Sequence, residues 1–140
     1  MTTAAEAVQP YPLISRQALF GNPKRAGGQI SRDGKWLAWM APHEGVMNVW
    51  LATADDPTAI RRMTSATERP IPMFFFAPDS RSLLYVQDKA GDENYLLYQV
   101  DIETGAERNL TPFDNTRVRV IGFCHTIKDK CLVGLNNRNP

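Results

Sequence analysis

The chain has 140 residues, of which 43% are hydrophobic and 22% charged, and its formal net charge is +1. This length can bury the core of one domain, while the small net charge argues against a nucleic-acid partner, because such partners normally face a strongly basic surface. No apolar stretch approaches the roughly 20 residues that span a membrane, and residues 1–11 lack the basic start and apolar centre of a signal peptide. We therefore expect a cytoplasmic protein without membrane or nucleic-acid partners.

The chain opens with a leader, residues 1–26, in which one short helix is predicted. Ser15 is a suitable N-cap, and the helix is expected to end after Phe20, where a glycine and a proline follow. The apolar side chains of this segment are expected to pack against the first sheet: Leu13, Leu19 and Phe20.

The body of the chain contains a motif that occurs twice. Residues 30–39 read ISRDGKWLAW and residues 76–86 read FAPDSRSLLYV, so each copy has a turn around an aspartate followed by an apolar run. The two aspartates, Asp33 and Asp79, are 46 positions apart, and each is expected to accept backbone N–H bonds of its turn. A period of roughly 40–50 residues built from short strands is typical of a β-propeller blade.

Residues beyond the motif repeat at nearly the same distance. Asn48 and Asn94 are again 46 positions apart, and the triplets 62–64 and 109–111, each ending in threonine, are 47 apart. We therefore predict an all-β fold: a partial β-propeller of about two four-stranded antiparallel blades plus the start of a third, behind a short N-terminal helical leader. Since rings hold about 4–8 blades, the chain is expected to be part of a larger ring. The predicted blades cover residues 27–66, 67–113 and, incompletely, 114–140.

Each predicted blade is built from short strands separated by polar turns. In the second blade, residues 74–76 and 83–86 are apolar without interruption, which is typical of a sheet covered on both faces. A blade between two neighbouring blades requires such burial. The predicted strands are 28–31, 36–41, 48–52, 60–64, 72–76, 83–87, 95–101, 107–110, 118–124 and 131–135.

One loop carries candidate substrate-binding residues, namely Asp92, Glu93 and Asn94, at a predicted hairpin loop over residues 89–93. Two adjacent carboxylates can bind an amine or a cation, or act as an acid and base pair. The alternative is a solvated loop in which the Asp and Asn side chains hold the turn. The sequence alone leaves both interpretations open.

The sequence contains no recognisable catalytic constellation. No serine lies in a G-x-S-x-G elbow, and no acidic residue is placed to orient His43 or His125. His125 alone does not supply the roughly four ligands that zinc needs. Cys124 and Cys131 are interpreted as small apolar strand residues rather than as a disulfide. We therefore expect no catalytic residue, no metal and no cofactor in these 140 residues.

An ordered series of short runs resembles one known family. The runs are LFGNP at 19–23, ISRDGKWLAW at 30–39, NVW at 48–50, QD at 87–88, GDEN at 91–94, LYQVD at 97–101, LTPF at 110–113 and VGLNNRNP at 133–140. Over residues 12–140, the chain resembles the N-terminal propeller of prolyl-oligopeptidase-family serine peptidases, in the branch of acylaminoacyl peptidases and dipeptidyl aminopeptidases.

The resemblance implies a function that lies partly outside this chain. In that family the propeller is paired with a C-terminal α/β-hydrolase domain that carries the catalytic Ser, Asp and His, so no catalytic residue is carried over. The propeller is expected to gate access and to position the N-terminus of a peptide substrate, with the peptide and the hydrolase domain as its partners. Some relatives bind the substrate amine with propeller carboxylates, a role that the resemblance does not transfer to Asp92 and Glu93.

Two other hypotheses stay open beside the peptidase propeller. A TolB-like propeller, which shares the turn motifs, would serve as a protein-interaction module, and a truncated gene product would have no function of its own. As part of a peptidase, the isolated chain is expected to lack hydrolase activity. Because an incomplete ring exposes an unpaired strand and apolar sheet faces, the isolated chain is also expected to self-associate.

Overall fold

The computed structural model describes residues 12–21, 23–124 and 126–137. Across these residues no helix has the length and apolar character of a membrane span. The elements in chain order are α1 (Arg16–Phe20), β1 (Ala26–Ile30), β2 (Trp36–His43), β3 (Val46–Thr53), β4 (Arg61–Arg62), β5 (Met73–Phe76), β6 (Ser82–Gln87), β7 (Leu96–Asp101), β8 (Glu107–Asn109), β9 (Val118–Phe123) and β10 (Cys131–Leu135).

The strands of the described residues form three sheets that follow one another along the chain. Strands β1 to β4 make the first sheet and β5 to β8 the second, while β9 pairs with β10 in the third. Every paired neighbour is antiparallel. Two four-stranded sheets, a two-stranded sheet and very little helix constitute the predicted partial β-propeller, whose sheets do not close into a ring.

The second sheet is buried on both faces, as its uninterrupted apolar runs predict. Leu83 and Tyr85 of β6 belong to a buried cluster shared with β2 and β3 of the first sheet. Leu84 and Val86, at the alternate positions of β6, belong to a second cluster shared with β9 and β10. Since a fully buried aliphatic or aromatic side chain stabilises a fold by about 1.5–3 kcal/mol, packing between sheets supplies much of the stability.

The register of the sheets corrects one predicted repeat. Asn48 pairs with Ala41 in the first sheet, and Leu96 pairs with Gln87 in the second. Because Ala41 and Gln87 are 46 positions apart, the structural counterpart of Asn48 is Leu96. The predicted equivalence of Asn48 and Asn94 is wrong, since eight residues separate Gln87 from Leu96, whereas six separate Ala41 from Asn48.

The threonine repeat, in contrast, is confirmed. The Thr64 hydroxyl oxygen accepts the Val49 backbone N–H at 2.9 Å, and the Thr111 hydroxyl oxygen accepts the Leu97 backbone N–H at 2.9 Å. In each sheet the threonine hydroxyl accepts a backbone N–H of the third strand that a carbonyl of a longer fourth strand would otherwise have accepted. For this reason β4 is only two residues long, shorter than the predicted strand.

The hairpin between β2 and β3 is longer than predicted. Its last pair joins His43 to Val46, and the intervening Glu44 and Gly45 have φ angles of 50° and 84°. Positive φ at both central residues is typical of a two-residue type I′ turn, whose twist matches that of the flanking strands. The turn is therefore narrower than the predicted loop, and both strands extend to meet it.

The leader helix begins where predicted but does not pack as predicted. The Ser15 hydroxyl oxygen accepts the Ala18 backbone N–H at 3.1 Å, and the helix ends at Phe20. Leu13 is 98% exposed, Leu19 59% and Phe20 79%. The prediction that these side chains cover the first sheet is wrong, because the second sheet packs against the apolar face of the first.

Candidate functional site

The candidate loop joins β6 to β7 at one end of the second sheet. Ala90, Gly91 and Glu93 have positive φ angles of 55°, 88° and 59°. Glycine adopts this region without a steric penalty, whereas alanine and glutamate do so only when surrounding contacts hold them there. The loop is therefore shaped by specific bonds rather than by backbone preference.

Asp92 provides several of those bonds. Its Oδ1 accepts the backbone N–H groups of Lys89 at 3.2 Å and of Asn94 at 3.0 Å, and its Oδ2 accepts the Asn94 side-chain amide at 3.3 Å. The bond from the Asn94 backbone is the first cause that holds the pKa of this exposed carboxyl below its ordinary value. A carboxylate stabilised in this way is a poor proton donor, so the geometry argues against an acid and base pair here.

Glu93 differs from Asp92 because no group of the described chain binds its carboxylate. The side chain is exposed, and only its backbone N–H takes part in a hydrogen bond, which it donates to Asp88 Oδ2 at 3.3 Å. The loop thus presents one carboxylate that is exposed and accepts no hydrogen bond from the described residues. The backbone at Glu93 and at Asn94 is held by hydrogen bonds to Asp88 and Asp92.

Asp88 is the buried support of the loop, and sequence reasoning missed it. Its side chain is 1% exposed and its Oδ1 lies 3.8 Å from Nε of Arg69. Gln87 connects the two residues, since its amide donates to the Arg69 carbonyl at 2.9 Å and its Oε1 accepts the Asp88 backbone N–H at 3.0 Å. The Arg69 guanidinium also lies beside Gly91, where an added Cβ would be 3.6 Å from its Nη1.

This arrangement suits the binding of a cation or an amine more than it suits proton transfer. Asp92 and Asn94 are occupied in shaping the loop, while Glu93 has a free negative charge. An exposed carboxylate attracts an ammonium group, although screening by water keeps a single contact weak. A further partner for the ligand is needed for tight binding.

The remaining sequence candidates are not brought together by the fold. The His43 ring packs edge-on against Trp50 with centroids 6.2 Å apart, and His125 lies outside the described residues. Cys124 and Cys131 are free thiols. In the described part of the chain, no group of three or more His, Cys, Asp or Glu side chains is placed to hold a metal ion.

The turn aspartates accept hydrogen bonds as predicted. Asp33 Oδ1 accepts the Ser31 hydroxyl at 2.6 Å and the Lys35 backbone N–H at 3.1 Å, and the serine bond is the first cause that lowers the pKa of Asp33. Asp79 Oδ1 accepts the Arg81 backbone N–H at 2.9 Å. Both carboxylates therefore stabilise the turns between the first and second strands of their sheets.

The solved structure of TolB from Acinetobacter baumannii has a similar fold. It matches with a TM-score of 0.52 at 21% sequence identity, over 64% of this chain and 21% of the TolB chain. At that identity the similarity concerns the fold. Together with the three antiparallel sheets, it shows that the fold is a β-propeller, present here in part. No protein-family model matches the sequence.

Two sequence relatives identify the branch of proteins to which this propeller is similar. The chain is 45% identical over 137 residues to dipeptidyl aminopeptidase BIII of Pseudoxanthomonas mexicana, and 28% identical over 135 residues to dipeptidyl peptidase family member 6 of Caenorhabditis elegans. These matches cover 98% and 91% of this chain but only 20% and 18% of the relatives. The chain is thus homologous to about a fifth of a dipeptidyl aminopeptidase, which confirms the predicted resemblance.

Proposed function

We propose that this chain is the propeller part of a serine peptidase of the dipeptidyl aminopeptidase type, in which it gates and positions peptides for an α/β-hydrolase domain. The observation that supports the proposal is the 45% identity to dipeptidyl aminopeptidase BIII over 98% of the chain. The catalytic Ser, Asp and His are expected in the hydrolase domain, outside these 140 residues. Both relatives are named for dipeptides, which favours dipeptidyl over acylaminoacyl substrates.

A gate requires sheets that keep their positions, and bonds between the first two sheets serve this purpose. The Gln29 amide donates to the Phe74 carbonyl at 2.8 Å, and the Arg61 guanidinium donates to the Ile102 carbonyl. The Arg61 guanidinium also lies 5.6 Å from the ring centroid of Trp36. These contacts add directional constraints to the apolar cluster between the sheets and so help to fix the position of the first sheet against the second.

Within this proposal, the loop with Asp92, Glu93 and Asn94 contacts the amine of the substrate. Glu93 has the free carboxylate, while Asp92 and Asn94 shape the loop that carries it. In the longer protein, Glu93→Gln is expected to weaken the preference for peptides with a free amine over N-acylated ones. An unchanged preference would remove Glu93 from the substrate site.

The reading frame that continues beyond codon 140 tests the proposal as a whole. We expect it to encode further blades and then a G-x-S-x-G elbow. The expressed protein should cleave dipeptidyl nitroanilides, a serine-directed fluorophosphonate should abolish that cleavage, and the 140-residue chain alone should show none. Cleavage by the isolated chain that persists through repurification and is blocked by the same inhibitor would contradict the proposal.

The gating role has its own test in the longer protein. The double variant Gln29→Ala with Arg61→Gln removes two side-chain hydrogen bonds between the first sheet and the second-sheet region. We expect it to cleave long peptides faster than the unaltered enzyme while dipeptidyl nitroanilides are cleaved at the same rate. If the unaltered enzyme already accepts long and short peptides equally, the propeller is not a gate.

The two rival hypotheses correspond to other outcomes of the reading-frame test. Blades without a hydrolase domain would make the chain part of a TolB-like interaction module, while a stop codon with hydrolase sequence in a shifted frame would make it a truncated product. A cytoplasmic location and self-association of the isolated chain stay predictions. Fractionation of the source cells tests the first, and sedimentation of the purified chain tests the second.

A further inference from the structure

A groove of about 1070 Å³ lies between the second and third sheets, at the end where the loop from β6 to β7 emerges. Strand β5 begins on one side of the groove and β9 on the other. Each of these strands has a single ladder partner among the described residues. On their other edges the Phe74 carbonyl and the Val118 N–H are already bonded, and the remaining backbone N–H and C=O groups are available to an added extended segment.

The walls of the groove are largely apolar, and several apolar side chains remain accessible in it. Met73 is 46% exposed, Ile121 55% and Leu135 39%, and all three line the groove. Val86 and Val118, which are buried, form its deeper wall. An apolar side chain of a ligand would displace water from this surface, which is favourable in proportion to the area covered.

The charged groups of the groove are both cationic. Arg117 and Arg119 line it, and no aspartate or glutamate does. Arg119 belongs to β9, and Arg117 directly precedes that strand. The Arg117 guanidinium lies 5.4 Å from the ring centroid of Tyr95. No group of the described residues binds the side chain of Arg119.

The position of this cationic pair is fixed by the backbone. The Arg117 backbone N–H donates to Oδ1 of Asn136 at 2.7 Å, and the Asn136 backbone N–H donates to the Arg117 carbonyl at 3.3 Å. The adjacent Val118 backbone N–H donates to the Tyr95 carbonyl at 2.7 Å. Three bonds therefore fix the backbone at the start of β9, from which the two arginine side chains extend.

We propose that this groove binds the carboxyl-terminal end of an extended peptide. The terminal carboxylate is held by Arg119 and Arg117, with the planar guanidinium of Arg119 able to donate two parallel hydrogen bonds to it. The apolar side chain next to that carboxylate lies against Met73 and Ile121. The inference rests on the proposed function for the choice of a peptide as ligand, while the groove is separate from the loop with Glu93.

The experiment measures fluorescence anisotropy of the 140-residue chain with the peptide Ala-Ala-Leu-Phe, labelled at its amine with a dye. The label removes the free amine, so any amine-binding role of Glu93 does not enter. We expect the free acid to bind about tenfold more tightly than the C-terminal amide, because a charged hydrogen-bond pair is lost in the amide. Equal affinities, or no binding of either peptide, would overturn the proposal.

Two variants assign the carboxylate contact. Arg119→Gln should lower the affinity for the acid to that for the amide and leave the amide unchanged, while Arg119→Lys should keep part of the difference. Arg81→Gln is the matched control, since Arg81 is an exposed arginine at the other end of β6, and it should change neither affinity. A circular dichroism spectrum identical to that of the unaltered chain shows that each variant is folded.

The remaining outcomes separate this inference from the proposed function. Acid-selective binding that Arg119→Gln abolishes supports the groove even if the longer protein proves not to be a peptidase. Peptide cleavage by the longer protein without such binding overturns the groove and leaves the proposed function intact. A dimer of the chain that Arg119→Gln dissolves, and that peptide does not, would assign the groove to a second copy and overturn the proposal.

Discussion

The Ser80 hydroxyl oxygen accepts the backbone N–H of Asp33 at 3.3 Å, which joins the equivalent turns of the first and second sheets. Ser80 stands where the first sheet has Gly34, and the two residues have similar positive φ angles, 61° and 75°. A buried serine in this region is strained by roughly 1 kcal/mol or more. The hydrogen bond between sheets offsets that strain and gives the serine a role that a glycine could not have.

Two substitutions at Ser80 separate the bond from the strain. Ser80→Ala should lower the free energy of unfolding by about 1 kcal/mol, because the bond is lost and the strain stays. Ser80→Gly should cost less than Ser80→Ala, because glycine adopts the positive φ without penalty. Urea unfolding of the three chains measures both differences. A glycine variant less stable than the alanine variant would show that strain at this position is negligible.

Asn48 is a second position where a polar group is decisive for stability. It is fully buried. Its side-chain amide donates to the carbonyls of Val46 at 3.1 Å and Ala66 at 2.9 Å. Its Oδ1 accepts the Thr64 hydroxyl and the Ala66 backbone N–H. Asn48→Ala should lower the free energy of unfolding by about 2 kcal/mol or more, because buried partners lose their bonds.

The control for Asn48 is Asn109→Ala. Asn109 is only partly buried, and its side-chain oxygen accepts one backbone N–H, from Thr111 at 2.9 Å. Its replacement should cost about 1 kcal/mol or less. Equal losses for the two variants in thermal unfolding would mean that the network around Asn48 does not act as a unit.

The sequence predicted the architecture well because the decisive signals are local. Turns around Asp33 and Asp79, each followed by an apolar run, mark the blade period, and every observed strand bound lies within two residues of its predicted position. The register around Asn94 could not be predicted, since an asparagine at the expected spacing hid the two extra residues of a loop. The exposure of Leu13 and Phe20 depends on which surfaces meet in three dimensions, and local pattern does not contain that information.

Sequence alone also predicted only part of the candidate loop's site. Its carboxylates Asp92 and Glu93 are adjacent in sequence and were therefore visible. The buried carboxylate of Asp88 looked like any loop aspartate, and its partner Arg69 comes from the segment between β4 and β5. A contact between residues so far apart along the chain is a property of the packed sheets. The division of roles, with Asp92 bonded and Glu93 free, became evident only from the hydrogen bonds.

The two thiols should differ in reactivity. Cys124 is exposed, and its sulfur lies 3.1 Å from the Thr126 hydroxyl oxygen, a contact that lowers the pKa of the thiol. Burial raises the pKa of Cys131. Because the thiolate is the reactive form, iodoacetamide at neutral pH should modify Cys124 at least about tenfold faster than Cys131, as measured by mass spectrometry of peptides.

Thr126→Val is the matched variant for that experiment. It keeps the shape of the side chain and removes the hydroxyl, so it should slow modification of Cys124 and leave the rate at Cys131 unchanged. Equal rates for the two cysteines in the unaltered chain would contradict the assignment of Cys124 as the more acidic thiol.

Asp92 gives a prediction for stability against pH. Hydrogen bonds hold its pKa in the folded chain below the ordinary value of 3.8, so its contribution to stability is fully present above that value. The contribution is lost as the pH falls through the lowered pKa, because the unfolded chain then binds a proton more readily than the folded one. Asp92→Asn should therefore lower the melting temperature at neutral pH, and the difference from the unaltered chain should shrink as the pH falls below about 4.

Glu93→Gln is the control in the same loop. It also removes one negative charge, but the Glu93 carboxylate accepts no hydrogen bond from the described residues. The melting temperature of this variant should therefore stay closer to that of the unaltered chain at neutral pH. Melting curves of the three chains at a series of pH values measure both effects, and an Asp92→Asn difference that stays constant down to pH 3 would show that the bonds from Lys89 and Asn94 do not stabilise the charged form.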